Sequence, residues 1–250
     1  MNTQYSYSGD PIPYVAYTEN ERRTWATVLD ELSALFPKYA CEEFNASLAR
    51  FNFSRDEVPQ LSAMNQVLNE ATGFSIRPVG GLLHPRDFLN GLAFRYFHST
   101  QYLRHHGQPM YTPEPDIVHE LIGHVPMLAD PDYANLVQTI GRASLGASEK
   151  MIWHLTKVYW YTVEFGVVRE NGRIKGFGAG VLSSFGELEW ACEESLEKRP
   201  EFLPFDPYRK QPKMSYKDDF QKQYFVLESF QDGTEKLREF AEDMKNGWEL

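Results

Sequence analysis

The stretch PEPDIVHELIGHVP holds the residues best suited to chemistry in this chain: His119 and His124, five positions apart, with Glu120 beside the first. Two histidines four apart stand within about 40° of one another on an α-helix, and with a glutamate after the first they make the helix of a zinc peptidase. Five apart, they diverge by about 140° on an ideal helix. The peptidase reading is therefore set aside. The two rings converge on one ion only where a helix end or a local distortion brings them round, and Gly123 and Pro126 supply reasons for such an irregularity. Histidines near a helix end also serve simply by bonding a carbonyl or favouring the C-terminal dipole, so the pair alone leaves metal binding open.

Glu164, in KVYWYTVEFGVV, adds weight to the metal reading. A carboxylate among Trp160, Tyr161, Val163, Phe165 and Val167 is costly to bury unless a cation or strong donors satisfy it. Two neutral imidazoles and one carboxylate make the facial triad of non-haem iron oxygenases, which leaves the opposite face open for oxygen and water. The competing reading is a buried ion pair between Glu164 and an arginine. Gly176, Gly178 and Gly180 have the wrong spacing for a nucleotide-binding loop, and VLSSFGEL does not begin a convincing helix after them, so they are read as permitting tight strands near the metal. Glu187 and Glu189 are read as structural groups rather than a glycosidase pair. His105 and His106 are read as solvated loop residues.

These groups need a scaffold, and the apolar spacing describes one. Residues 1–19, with Gly9, Pro11, Pro13 and many tyrosines, read as an extended arm. From Asn20 a helix runs until Pro37 stops it, a second covers Glu42 to Phe51, and a third covers Leu61 to Ala71 with Gly73 at its end. After a loop containing Pro78, Gly80, Gly81 and Pro85, the helical pattern resumes from Phe88 to Phe97. Helices are expected between Asp116 and Leu128 and from Ser148 to Phe165, and short strands from Val167 to Leu182. A Pro-rich loop from Pro200 to Pro212 leads to a strand around Tyr224 to Leu227, and an amphipathic helix spans Thr234 to Lys245. The fold expected is α+β and predominantly helical, one domain over residues 1–250 with short strands.

Composition narrows the partners. A net charge of -10 argues against nucleic acid, because phosphate contacts need clustered Lys and Arg. The 17 Phe, 14 Tyr and 5 Trp can wall a core or pocket with flat rings and favour an ordered chain. Cys41 and Cys192 are read as reduced packing residues, and no apolar run approaches the roughly 18 residues of a membrane span. The expectation is a soluble cytoplasmic protein with no membrane association, and a monomer, because the Thr234 to Lys245 helix has an apolar face long enough to pack on its own body but short for a coiled coil.

Five runs taken in order, RPVGGLLHPRDFLNGLAFRYFHSTQYLRH, PMYTPEPDIVHELIGHVP, IGRASLGAS, YWYTVEFGVV and GFGAGVLSSFGELEW, resemble the catalytic domain of the pterin-dependent aromatic amino acid hydroxylases. The likeness is dense from Arg77 to Trp190 and looser from Tyr14 to Phe240. It implies an iron(II) and tetrahydropterin (tetrahydrobiopterin-like) monooxygenase acting on an aromatic amino acid with oxygen, phenylalanine before tyrosine, with Trp160 arguing against tryptophan. The alternative from another class is a non-catalytic binding module that keeps the fold.

The resemblance also implies roles. His119, His124 and Glu164 match the iron ligands. Arg104 matches the arginine that binds the substrate carboxylate, and Asp116 the acid that orients it; without the family they would read as a surface ion pair. Thr112, Pro115, Trp160, Phe165 and Ser183 match positions around the amino acid. Gly81, Leu83 and Phe88 match the pterin site, with Glu120 contacting pterin and His98 a secondary candidate. Phe88 otherwise reads as a core residue of an amphipathic helix. His84 and Pro85, and the stretch KQPKMSYKDDFQ, depart from better-known members.

Overall fold

Helix α1 (Glu19–Tyr39) starts at Thr18, whose hydroxyl accepts from the Glu21 N–H while the Glu21 carboxylate accepts from the Thr18 N–H. In the computed structural model, which describes residues 11–110, 112, 114–214 and 220–249, Trp25, Val28, Leu29, Leu32 and Phe36 are the buried stripe of this helix. Pro37 does not stop it as the sequence suggests. The ring falls in the last turn, where it removes one hydrogen bond, and the Ala40 N–H still reaches Phe36 O at 3.0 Å. Residues 11–18 run along the body without helix or strand, held where Gln60 bonds the backbone of Val15 at 2.9 and 3.1 Å and the Tyr17 hydroxyl donates to Gln101 O. The rest of the expected arm, residues 1–10, and residues 215–219 of the KQPKMSYKDDFQ stretch lie outside the described residues.

Helix α2 (Glu42–Leu48) ends before the expected Phe51, because the N–H groups of Arg50 and Phe51 bond three residues back and Asn52, at φ 45°, turns the chain. Helix α3 (Leu61–Ala71) closes as expected on Gly73, at φ 76°. Strand β1 (Ser75–Pro78) then pairs in parallel with β2 (Tyr96–Ser99) around helix α4 (Pro85–Ala93). The expected helix from Phe88 to Phe97 is thus cut at Ala93: Arg95 takes φ 60°, and Tyr96 and Phe97 become strand, a change that apolar spacing over so few residues does not resolve.

A π-helical segment, His119–His124, leads into helix α5 (Val125–Leu128). Helix α6 (Pro131–Ser144) is not anticipated by the sequence reading, although Asp130 accepts from the N–H groups of Asp132 and Tyr133 and Pro131 opens the helix. Helix α7 (Glu149–Tyr159), capped by Ser148, passes into a second π-helical segment, Trp160–Glu164. Strands β3 (Val167–Glu170) and β4 (Arg173–Gly176) form a hairpin whose turn residues Asn171 and Gly172 both have positive φ.

The strand expected through Leu182 is instead helix α8 (Ala179–Leu182), and SSFGEL does begin a helix, α9 (Phe185–Cys192), with the Ser184 hydroxyl accepting from the Glu187 N–H. The expected loop after Pro200 contains β5 (Glu201–Pro204), followed by β6 (Gln223–Leu227). The sheet order is β4-β3-β6-β5, antiparallel only between β3 and β4. Helix α10 (Phe230–Lys245) starts four residues earlier than expected because Ser229 caps it.

The core is organised on α6, with α4 on one side and α10 on another. Gly141 admits α4: a Cβ there would lie 2.2 Å from Ala93 N. Tyr133 of α6, Phe177 and Phe230 of α10 meet edge to face at 5.0–6.0 Å, the geometry favoured by the ring quadrupoles. Cys41 and Cys192 are free and buried. Among the described residues no helix is long and apolar enough to cross a membrane.

Candidate metal centre

Both π-helical segments carry candidate ligands, and this resolves the five-residue spacing. In an α-helix the fourth residue on returns to the same face, whereas the wider π turn delays that return to the fifth. The Val125 N–H bonds Glu120 O, five residues back, and His119 Nε2 and His124 Nε2 come within 3.1 Å. Glu164, at the end of the second segment, sets Oε2 at 3.3 Å from His119 Nε2 and Oε1 at 3.2 Å from His124 Nε2. Two ligands of one ion about 2.1 Å from each, at right angles, would be about 3 Å apart. The donor set therefore fits a single transition-metal ion with a facial arrangement. The competing reading, an ion pair of Glu164 with an arginine, is not what these contacts are.

Hydrogen bonding fixes one ring. Ser183 Oγ has a single proton and donates it to Ala179 O at 2.7 Å, so it accepts from His119 Nδ1, 2.8 Å away. The His119 proton is thus on Nδ1, and Nε2 offers its lone pair to the centre. His124 packs its ring 4.5 Å from Phe97, and its Nδ1 is buried without a partner.

The carboxyl groups differ. Burial raises Glu164, but His124 and His119 outweigh that and hold it below the usual carboxylate range. Burial lowers His124. At His119 burial acts the same way, yet Glu164 overcomes it and the ring lies above its ordinary value. Glu120 is buried, and the loss of solvent pushes its carboxyl up to about 7. It accepts from Thr100 N at 3.2 Å, and one of its oxygens lies within 4.8 Å of a nitrogen of each of His119 and His124.

Close backbone packing positions the ligands. A Cβ on Gly123 would lie 2.7 Å from Ala179 O, one on Gly178 would lie 2.5 Å from Glu164 O, and one on Gly180 would press on the Phe165 ring. The start of α8 is thus wedged between the two π segments. Gly178 and Gly180 allow close approach near Glu164, but from a turn and a helix, whereas Gly176 does lie in a strand, β4.

Arg104 and Asp116 form a buried pair. Arg104 Nε and Nη2 donate to the two Asp116 oxygens at 2.8 Å each, the Arg104 N–H donates to Asp116 Oδ2, and Nη1 donates to Pro109 O at 3.2 Å. Asp116 also accepts from the His119 N–H at 3.1 Å, which joins the pair to a ligand. The expectation of a surface ion pair is thereby excluded.

The remaining candidates fall in two groups. Trp160 and Phe165 have ring centroids 4.7 Å apart, and Trp160 Nε1 donates to Gln221 Oε1. Thr112 donates to Glu114 O, and the exposed Pro115 accepts from Thr100 Oγ1. Phe88 is half-buried beside Phe97, Tyr159 and His98, at 5.7, 5.2 and 6.4 Å, so Phe97 links it to His124. His98 Nδ1 is buried without a partner. Gly81 and Leu83 lie in the loop before α4, partly exposed, and open space surrounds the Cβ position of Gly81. Sequence reasoning missed the bond of Ser183 to His119, which no spacing signals. Glu187, read as structural, is buried and accepts from Gln221 N and the Tyr224 hydroxyl. His105 and His106 are exposed.

All of residues 1–250 match the family described as biopterin-dependent aromatic amino acid hydroxylase. The chain is 57% identical over 239 residues to the chloroplastic phenylalanine 4-monooxygenase of Pinus taeda, covering 96% of this chain and 66% of that one. It is 47% identical over 250 residues to the tryptophan 5-hydroxylase of Xenopus laevis, covering 98% and 51%. The chain thus spans about half to two thirds of the length of these curated relatives. A structure of Chromobacterium violaceum phenylalanine hydroxylase with bound iron(III) and 7,8-dihydrobiopterin superposes with a TM-score of 0.82 at 34% identity, covering 92% of this chain and 84% of that one.

Proposed function

The chain belongs to the biopterin-dependent aromatic amino acid hydroxylase family, and from that membership we propose that it hydroxylates L-phenylalanine to L-tyrosine with iron(II), a tetrahydropterin and oxygen. The observation that carries this reading is the mutual 3.1–3.3 Å spacing of His119 Nε2, His124 Nε2 and the Glu164 carboxylate oxygens. These three groups would hold the iron, which when bound supplies, with the pterin, the chemistry that activates oxygen.

The side chains bind, orient and exclude water. Of the five N–H groups of Arg104, two bond Asp116 and one bonds Pro109 O, which leaves one on each of Nη1 and Nη2. A guanidinium fixed along one edge is suited to grip the substrate carboxylate by the other. Trp160, Phe165, Thr112 and Pro115 would enclose the aromatic side chain. Ser183 keeps one lone pair for substrate while holding His119. Phe88 would stack on the pterin beside Gly81 and Leu83, with His98 near its edge, and Glu120, whose carboxyl is pushed up to about 7, would exchange a hydrogen bond with it.

Phenylalanine is preferred in this reading because two large rings already fill the wall where a bulkier indole would go, and because of the likeness to the Pinus taeda enzyme. A non-catalytic module would have no chemical need for a charged carboxylate between two histidines. A monomer is supported by α10, whose apolar residues Leu237 and Phe240 are buried against its own body. A reducing compartment such as the cytoplasm agrees with two free cysteines. The test is product analysis with phenylalanine, tyrosine and tryptophan, given iron(II), tetrahydrobiopterin and oxygen. Tyrosine formed from phenylalanine supports the reading, and iron-loaded protein that makes none overturns it.

A further inference from the structure

A second cleft, separate from the metal centre, lies between α7 and the 206–211 turn. Its volume is about 300 Å³, and it is lined by Lys150, Trp153, His154, Lys157, Lys210 and Gln211. The first four stand at i, i+3, i+4 and i+7 of one helix, so they share a face. The turn is held against that face: His154 Nε2 bonds Pro207 O at 2.7 Å, and Gln211 Nε2 donates to Asp206 O and Arg209 O at 3.0 Å each. The cleft is therefore preformed.

Its chemistry runs against the rest of the molecule. The chain carries a net charge of -10, yet three lysines and, among the described residues, no acid line the cleft. Lys157 and Lys210 make no ion pair among the described residues. Trp153 leaves 49% of its surface in water. The two ammonium groups of Lys157 and Lys210, without a counter-charge, and an indole half in water are each unfavourable in the free protein, and one kind of ligand relieves both. A zwitterionic amino acid does not qualify, because its ammonium would meet lysines and no carboxylate. A volume at the low end for small-molecule sites has room for one ring system and a short phosphate chain.

We propose that this cleft binds a small ligand that joins a flat heteroaromatic ring to a multiply charged anion, of the nucleoside diphosphate class, with the ring on Trp153 and the phosphates between Lys157 and Lys210.

Isothermal titration of the iron-loaded full chain with ADP, adenosine and inorganic pyrophosphate, each alone, tests it. ADP should bind saturably with Kd below about 1 mM, and adenosine and pyrophosphate at least about tenfold more weakly. Trp153→Ala should weaken ADP and leave pyrophosphate unchanged. The double variant Lys157→Gln with Lys210→Gln should weaken ADP by at least about tenfold. The three substituted side chains are outside the metal centre, so iron content should be unaltered. Absence of saturable ADP binding overturns the proposal, and so does unchanged ADP affinity in the double variant, since chelation of the iron by phosphate would persist there. Pyrophosphate binding as tightly as ADP would overturn the part assigned to Trp153.

Discussion

Ser183 donates its hydroxyl proton to Ala179 O and accepts the Nδ1–H of His119 across 2.8 Å, so a residue 64 positions away in sequence decides which nitrogen of that histidine faces the centre. Partners of this kind typically change metal affinity by 10- to 100-fold when removed. Ser183→Ala should therefore raise the Kd for iron(II) within about that range while leaving the unfolding midpoint near that of the unaltered chain. Anaerobic iron titration checks it. Unchanged affinity would mean that His119 keeps its tautomer without the serine.

Gly178 acts through space and not through conformation. Its φ of −68° is open to any residue, but a Cβ would sit 2.4 Å from Gly166 N and 2.5 Å from Glu164 O. Overpacking of this kind costs about 1–3 kcal/mol, and here the backbone that must yield carries a ligand. Gly178→Ala should lower both stability and iron occupancy, whereas Gly80→Ala, with nothing within 4 Å, should change neither. Urea unfolding with elemental analysis reads both. Full iron occupancy in Gly178→Ala would show that the wedge does not set the position of Glu164.

The bidentate bond of Arg104 to Asp116 bears on substrate choice. A lysine ammonium is a point charge and cannot hold Asp116 with one edge and a carboxylate with another. Arg104→Lys should raise the KM for phenylalanine at least about tenfold, ~1.4 kcal/mol, with a smaller effect on the KM for pterin. Equal loss toward both would assign Arg104 to general structure.

Glu187 gives a pH dependence with a definite sign. Burial raises its carboxyl to about 7, although the Tyr224 hydroxyl and the Gln221 N–H both favour the ionised form. The folded chain then binds this proton more tightly than the unfolded chain does. The contribution is fully present below about pH 4.5 and is lost as pH rises to about 7, by at most about 3 kcal/mol. Glu187→Gln keeps an acceptor for both donors and cannot ionise, so its stability relative to the unaltered chain should be higher at pH 7.5 than at pH 5. Parallel stability curves from urea unfolding across that interval would rule the effect out.

Much of the centre was legible because its constraints are chemical. The pairing of His119 and His124 and the cost of burying Glu164 follow from residue type, and the spacing itself demanded a distortion, which the π turn supplies. Helix α3 was legible for a related reason, since apolar period and the closing Gly73 mark it locally, and strand β6 because Tyr224 to Leu227 form a short continuous apolar run. What escaped depends on tertiary contact. Tyr96 and Phe97 continue a helical spacing, and only pairing with β1 makes them strand. Gly178 and Gly180 read as strand residues until Glu164 is seen against them. Ser183 gives no signal until α8 brings it to His119. The missed caps are a different case: Asp130-Pro131 before α6 and Ser184 before α9 were present in the sequence and local in their physics.

The most direct test of the metal centre is iron content in Glu164→Ala, measured by atomic absorption after anaerobic loading and desalting, beside the hydroxylation rate of the same sample. Metal affinity here arises from three groups acting together, and Glu120, the other carboxyl beside the two histidines, is engaged by the Thr100 N–H. The variant should lose most of its iron and all measurable tyrosine formation, with circular dichroism close to that of the unaltered chain. Full iron occupancy with activity retained would contradict the account.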